Sequence, residues 1–244
     1  MGKIGFAGGK VGMEVPVGGI LASDLAVGSS VYLMENGSAV EYLVVNQGIP
    51  SGSSLYDSSC NGTWLLRKEL HSSRTWDATD ADYANSDINT WLNETFYNTL
   101  GSIEQSTIKQ VKVPYCSTVG TKMGNAIVST GSSGFATNVF LLSDCEVGIT
   151  SGYSTLLYVG AILSYFGSSS KRIAYLNGTA TAWWLRVPCM NGTSWGVYAA
   201  SVTTSGALSD TGLVYNYSKG VRPCVVLPSN AIFDEETMLL KGVA

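Results

Sequence analysis

Ala182-Trp183-Trp184-Leu185-Arg186-Val187-Pro188 and, further along the chain, Gly220-Val221-Arg222-Pro223 are the stretches on which the fold turns. The first is an aromatic and aliphatic run closed by proline, which reads as a buried strand. Successive side chains of a strand point to opposite faces. Trp183 and Trp184 are therefore expected on opposite sides, one in the core and the other lining the loop surface. Arg186 and Arg222 are charged residues inside apolar runs. A buried guanidinium needs a carboxylate or carbonyl partner, so both are expected to be buried and hydrogen-bonded.

The segment between these stretches includes Asn191, Thr193, Ser194, Trp195, Tyr198, Thr203, Tyr215, Asn216, Tyr217 and Ser218. Antibody loops use the same mix: Tyr and Trp supply rigid amphipathic area, and Ser and Asn supply adaptable hydrogen bonds. Asn191, Thr193, Ser194, Trp195, Tyr198, Tyr215, Asn216 and Tyr217 are thus the candidate ligand contacts. Trp183, Trp184, Arg186, Gly220 and Arg222 are the candidate framework, and no residue is assigned to catalysis.

Working outward, residues 31–34 and 40–45 flank Asn36-Gly37, the strongest short signal for a β-hairpin turn. Residues 63–67 read as another strand. Residues 86–109 carry a helical period, with Ser86 as cap and Asp87 in the first turn. Ile88, Trp91, Leu92, Thr95 and Phe96 fall on one face. Leu100-Gly101 ends this helix. Ser102 starts a shorter one, with Ile103 and Ile108 inward and Glu104 at its entrance. Residues 139–143, 195–202 and 220–228 read as further strands between loops rich in Ser, Gly and Thr. Residues 1–27, with apolar Ile4, Phe6, Val11, Met13, Val15, Val17, Ile20 and Leu21, are read as an N-terminal arm. Residues 28–230 are read as the ligand-binding domain, and 231–244 as a C-terminal extension.

Composition removes several functions. Charged residues make up 13% of the 244, against about 25% in an ordinary domain. Aromatic and β-branched residues are plentiful, which argues against disorder. The 14 Lys and Arg are outnumbered by 18 Asp and Glu and form no basic cluster, so no nucleic-acid partner is expected. No apolar run approaches the ~18 residues of a membrane span, so no membrane insertion is expected. The first residues lack a continuous apolar stretch and do not read as a secretory signal. The five cysteines, Cys60, Cys116, Cys145, Cys189 and Cys224, are scattered and read as buried free thiols. His71 is the one histidine and reads as a loop residue, which leaves no zinc site. Asp77, Asp80 and Asp82 have a spacing reminiscent of a Ca²⁺ loop. The glycine and distal glutamate of an EF-hand are absent, and a polar turn before the helix is the preferred reading. No cofactor is expected, and Ca²⁺ has no support beyond that spacing.

Trp64-Leu-Leu-Arg, the helix with Ile88 and Trp91-Leu-Asn, Ile108 with Val111, Val139-Phe-Leu-Leu-Ser, Trp183-Trp-Leu-Arg-Val-Pro and Gly220-Val-Arg-Pro occur in that order. The series resembles an uncharacterised domain family common in gut bacteria and their phages, over about residues 28–230. Val187 and Cys224 depart from it, at positions where the family commonly has Ser and Ala. The Gly-Val-Arg-Pro ending is also similar to the Gly-Phe-Arg ending of formylglycine-generating-type C-type-lectin folds. The resemblance implies an α+β, C-type-lectin-like domain with two helices, short antiparallel strands and long loops, preceded by an N-terminal β arm or hairpin. The chain also resembles the variable proteins of phage diversity-generating retroelements, in which ligand-facing positions near the C-terminus are diversified.

What this resemblance implies is a phage or prophage virion protein, at a tail or fibre tip, that binds a host-surface protein or glycan and is not an enzyme. It would be made in the host cytoplasm, dock to other virion proteins through its arm, and assemble as a homotrimer. Two alternatives stand beside it. One is a structural head or tail decoration protein. The other is a formylglycine-generating-type enzyme, for which Cys189 and Cys224 would be the thiols.

Overall fold

The computed structural model describes residues 18–79, 81–118, 126–152, 154, 156–191 and 194–244. The chain opens with β1 (Gly19–Leu21), β2 (Ser30–Glu35), β3 (Ser38–Gln47), β4 (Thr63–Arg67) and β5 (Ser73–Arg74). Two helical pieces follow, α1 (Asp87–Thr90) and α2 (Ser102–Thr107). Short strands β6 (Val111–Val113), β7 (Tyr115–Thr118), β8 (Ala126–Ser129), β9 (Phe135–Thr137), β10 (Tyr175–Leu176) and β11 (Thr179–Ala180) come next. The last third holds β12 (Trp183–Asn191), β13 (Ser194–Val202), β14 (Leu208–Leu213), β15 (Lys219–Gly220), β16 (Cys224–Leu227), β17 (Ala231–Asp234) and β18 (Leu240–Val243).

Two sheets carry the architecture. One has the order β14-β13-β12-β15-β5 and the other β16-β4-β3-β2. Asn36 and Gly37 both take left-handed backbone, φ 49° and 78°, as the tight turn between β2 and β3 requires. Strict alternation along these strands divides the interior into two layers. Leu43, Val45, Trp64, Leu66, Cys224 and Val226 enter one hydrophobic cluster. Their sequence neighbours Tyr42, Val44, Leu65, Val225 and Leu227 enter the other. The same division splits the paired tryptophans, Trp183 into the first cluster and Trp184 into the second. They do point oppositely, but both are fully buried, so neither lines a loop surface. Each layer supplies the apolar burial, at about 25 cal/mol per Å², that a sheet with one wet face could supply on one side only.

Gly220-Val-Arg-Pro is where the chain leaves one sheet for the other. β15 ends at Gly220 and β16 starts at Cys224, so the expected single strand is two. Pro223 has no N–H to continue the ladder. Arg222 closes the gap by donating from Nε to Arg67 O at 2.9 Å and from Nη2 to Lys68 O at 3.1 Å. Gly220 fits closely there: a Cβ would lie 2.3 Å from Leu70 Cδ1, and the leucine side chain would have to move. Gly62, at the start of β4, is tighter still: a Cβ would lie 2.2 Å from the Leu227 carbonyl oxygen. Gly62→Ala is expected to cost about 1–3 kcal/mol by pushing β4 off β16. A fall in the thermal midpoint, with the folded circular dichroism spectrum kept, checks it.

The expected two-helix α+β, lectin-like class is corrected by this structure. Among the described residues, strands occupy 38% and helical segments 17%, and the architecture is several small antiparallel sheets. Ser86 does cap α1, its Oγ accepting from Asn89 N at 3.3 Å, and Ile88, Leu92 and Phe96 are buried. The α-turns last only to Thr90, however. Trp91–Phe96 widen to π geometry and Tyr97–Thr99 tighten to 3-10. In α2 the expected orientation is reversed: Ile103 is exposed and Glu104 buried. The Glu104 carboxylate accepts from Met34 N at 2.9 Å, and that bond to the edge of β2 decides the helix rotation. Residues 139–143 are buried, as expected of a core strand, yet they form no ladder. Phe140 makes an isolated bridge with Cys224. Leu141 N donates to Tyr83 Oη at 3.0 Å, and Leu142 O accepts from Arg186 N at 3.0 Å.

The segments read as arm and extension meet one another. β1 pairs antiparallel with β17, which pairs with β18, in one three-stranded sheet. Ala22, Leu25, Ala231, Phe233 and Leu240 all enter the second hydrophobic cluster. Of the arm, residues 1–17, with Ile4, Phe6, Val11, Met13, Val15 and Val17, lie outside the described residues.

Candidate functional site

The framework arginines are anchored as their sequence context requires. Arg186 is fully buried and forks onto Glu146, with Nη1 2.5 Å from Oε2 and Nη2 2.6 Å from Oε1. It also donates to Pro114 O at 3.0 Å and Leu141 O at 2.9 Å. The adjacent carboxylate holds its pKa above the usual guanidinium value even though burial opposes this. Arg222 has carbonyl partners and stands 5.2 Å from the Trp183 ring centroid. Burial pulls its pKa down to about 10.

The candidate contacts run from the β12–β13 tip to the middle of β13 and the turn after β14. Asn191 and Ser194 pair across the β12–β13 tip. Thr193 lies outside the described residues, and Trp195 lies on β13 just past the tip. Tyr198 pairs with Cys189 on β12 and Leu213 on β14, and its half-buried ring packs on the first hydrophobic cluster. Tyr215, Asn216 and Tyr217 form the turn after β14 and are exposed, Tyr215 to 43% and Tyr217 to 52%. Val214 fixes this turn, being buried in the Trp184 cluster and accepting from Trp76 N at 2.9 Å.

The same sheet carries a polar row that the sequence reading missed. The register sets Arg74 beside Lys219 and Trp184 beside Ser201, and Ser201 beside Ser209. Lys219 Nζ donates to Ser201 Oγ at 2.7 Å and lies 4.8 Å from the Trp184 ring centroid. Burial lowers the Lys219 pKa. Arg74 lies 4.4 Å from the Trp91 ring centroid. These two cation–π contacts hold both cations against indoles. Arg74, Trp184, Ser201, Ser209 and Lys219 come from five separate strands, so no spacing in the sequence announces them. His71 is a half-buried partner of the same aromatic group, edge-on to Trp91 and Phe96 at 5.1 and 5.2 Å. It lies in the loop between β4 and β5, as expected. Burial and then the Arg67 charge lower its pKa.

The groups considered for metal or thiol chemistry have other work. Asp77 accepts from Thr79 N at 2.7 Å and from Asp87 N at 3.0 Å, which makes it part of the turn into α1. Asp82 accepts from Asn85 Nδ2 at 2.7 Å, and Asp80 lies outside the described residues. Among the described residues, no three His, Cys, Asp or Glu side chains are grouped to hold a metal. All five cysteines are free and buried. Burial pushes Cys60, Cys116 and Cys145 up to about 12 and Cys189 and Cys224 well above the usual thiol value. A thiol is a nucleophile only as thiolate, so nothing about Cys189 or Cys224 suits them to covalent chemistry. Among the described residues, no helix is long and apolar enough to cross a membrane.

No curated protein and no solved structure matches the chain. The profile of one family, described as Domain of unknown function (DUF6273), matches residues 61–229, a span that takes in β4 to β16 and every framework residue named above. That span exceeds half of the chain, and the protein belongs to this family.

Proposed function

We propose that this protein is a receptor-binding component of a phage or prophage particle. Its contact surface is formed by the β12–β13 tip and the exposed 215–217 turn that follows β14. The ligand is a host-surface protein or glycan. The observation that carries this reading is the contrast among aromatic side chains. Trp64, Trp76, Trp183 and Trp184 are fully buried, while Tyr215 and Tyr217 stand out on one anchored turn. An exposed tyrosine pair on a fixed backbone gives contact area at low entropic cost. Exposed Asn216 between them adds polar groups of the kind that orient a ligand. Clustering several copies on one particle would multiply a weak single-site affinity.

The test is the double substitution Tyr215→Ala and Tyr217→Ala. Binding of the fluorescent protein to host cells is expected to fall at least tenfold, about 1.4 kcal/mol. The thermal midpoint should stay within about 2 °C, because both side chains are mostly outside the core. Unchanged cell binding together with defective particle assembly would instead favour a decoration protein.

A further inference from the structure

At the far end of the β13–β14 ribbon from Tyr215 lies a cleft of about 420 Å³. It opens beside the turn that joins β13 to β14. That places it about 26 Å from the β12–β13 tip, by the rise of a nine-residue strand. Its lining includes Thr150, Ser151, Ser169 and Ser205, with Ile149 and Leu208 giving apolar surface and Arg172 the only charge among the described residues. Among the described residues, none that lines it carries a carboxylate.

The cleft is built rather than left over. Arg172 ties together the segments that form it, donating from Nε to Gly206 O at 2.6 Å and from Nη1 to Val147 O at 3.1 Å. Its own carbonyl accepts from Trp183 Nε1 at 2.9 Å, which locks it to the framework strand. Two walls need glycine. Gly206 has φ 80°, and a Cβ there would lie 2.1 Å from Ser169 O. Gly148 has φ 80°, and a Cβ there would lie 2.9 Å from Phe166 O. A guanidinium held by fixed carbonyls is a pre-set positive charge, and pre-organisation lowers the cost of binding.

We infer that this cleft is a second binding site and takes a sugar residue bearing a carboxylate, of the uronic or sialic kind. Arg172 supplies the counter-charge, the serine and threonine hydroxyls meet the ring hydroxyls, and Ile149 and Leu208 meet the C–H face. The volume lies within the range of small-molecule sites, about 300–1,000 Å³, and far exceeds what an inorganic anion fills. This site stands on its own geometry and does not depend on the tyrosine surface being an adhesive one.

Titration calorimetry of the full chain with glucuronate and N-acetylneuraminate tests it, with glucose and inorganic phosphate as controls. One of the acidic sugars is expected to bind with Kd about 1 mM, a modest affinity for a single small ligand. Glucose and phosphate should bind at least tenfold more weakly. Ser151→Trp fills the cleft from an exposed position and should abolish binding without shifting the thermal midpoint. The Tyr215→Ala, Tyr217→Ala double variant should bind as the parent does. Absence of binding by both acidic sugars, equal binding of glucose or phosphate, or binding that survives Ser151→Trp would each overturn the assignment. Loss of acidic-sugar binding in the tyrosine variant would overturn it too, by moving the ligand to the other end of the sheet.

Discussion

Arg186→Met is expected to destabilise the domain by about 3–5 kcal/mol, enough to leave much of it unfolded at 37 °C. The reason is what stays behind. Glu146 is fully buried and receives, besides Arg186, Tyr56 Oη at 2.9 Å and Ser143 N at 2.9 Å. Two neutral donors do not compensate a carboxylate that has lost its counter-charge. Arg186 also bonds Pro114 O and Leu141 O, so its loss frees two carbonyls and loosens three chain segments from β12. The double variant Arg186→Met, Glu146→Leu removes the lone charge and is expected to be more stable than Arg186→Met alone. Urea unfolding of the parent and both variants provides the comparison. A single variant within about 1 kcal/mol of the parent, or a double variant worse than the single, would show that the pair does not carry this weight.

The second large effect is on pH dependence. Asp144 is fully buried. Its Oδ1 accepts from Cys145 N at 2.8 Å and Val159 N at 3.1 Å, while Oδ2 has no hydrogen-bond partner among the described residues. Burial raises its pKa from 3.8 to about 6, against the pull of those two N–H groups. Between those values the folded state holds a proton that the unfolded chain has released. Asp144 therefore makes stability fall as pH rises from about 4 to about 6, by about 3 kcal/mol in all. Asn at this position keeps an acceptor for both N–H groups and never ionises. Relative to the parent, Asp144→Asn should gain about 3 kcal/mol between pH 4 and pH 7, read from urea unfolding at the two pH values. An equal difference at both would mean that Asp144 titrates as an ordinary carboxylate.

The residues themselves show how much could be read from the sequence. The alternation of Trp183 and Trp184 predicted opposite faces, and a charge inside an apolar run predicted buried, partnered arginines. Both readings rest on local rules, and both describe the structure. Asn36-Gly37 and the Ser86 cap are local in the same way. What failed depended on partners distant in sequence. Ile103 and Glu104 exchange places because Met34 offers a backbone N–H to the carboxylate. Residues 139–143 look like a strand, but their backbone groups are taken largely by Tyr83, Arg186 and Cys224 instead of by a ladder. The two-helix class failed because a good apolar period over residues 88–96 does not specify whether the turns stay α or widen. The Arg74–Lys219–Ser201–Ser209 row was invisible for a related reason: cross-strand register sets it, and no single stretch encodes register.

The division of the interior into two layers also separates two kinds of reporter. Cys60, Cys116, Cys189 and Cys224 all lie in the first layer, and the second contains no cysteine. Fully buried indoles occur in both, Trp64 and Trp183 in the first and Trp76 and Trp184 in the second. Alkylation of these thiols in dilute denaturant is therefore a clock for the opening of one layer, whereas the shift in indole emission sums over both. Equal opening free energies from the two signals would make the layers a single cooperative unit. Labelling that runs ahead of the emission change would make the cysteine-bearing layer a separate unit that opens first.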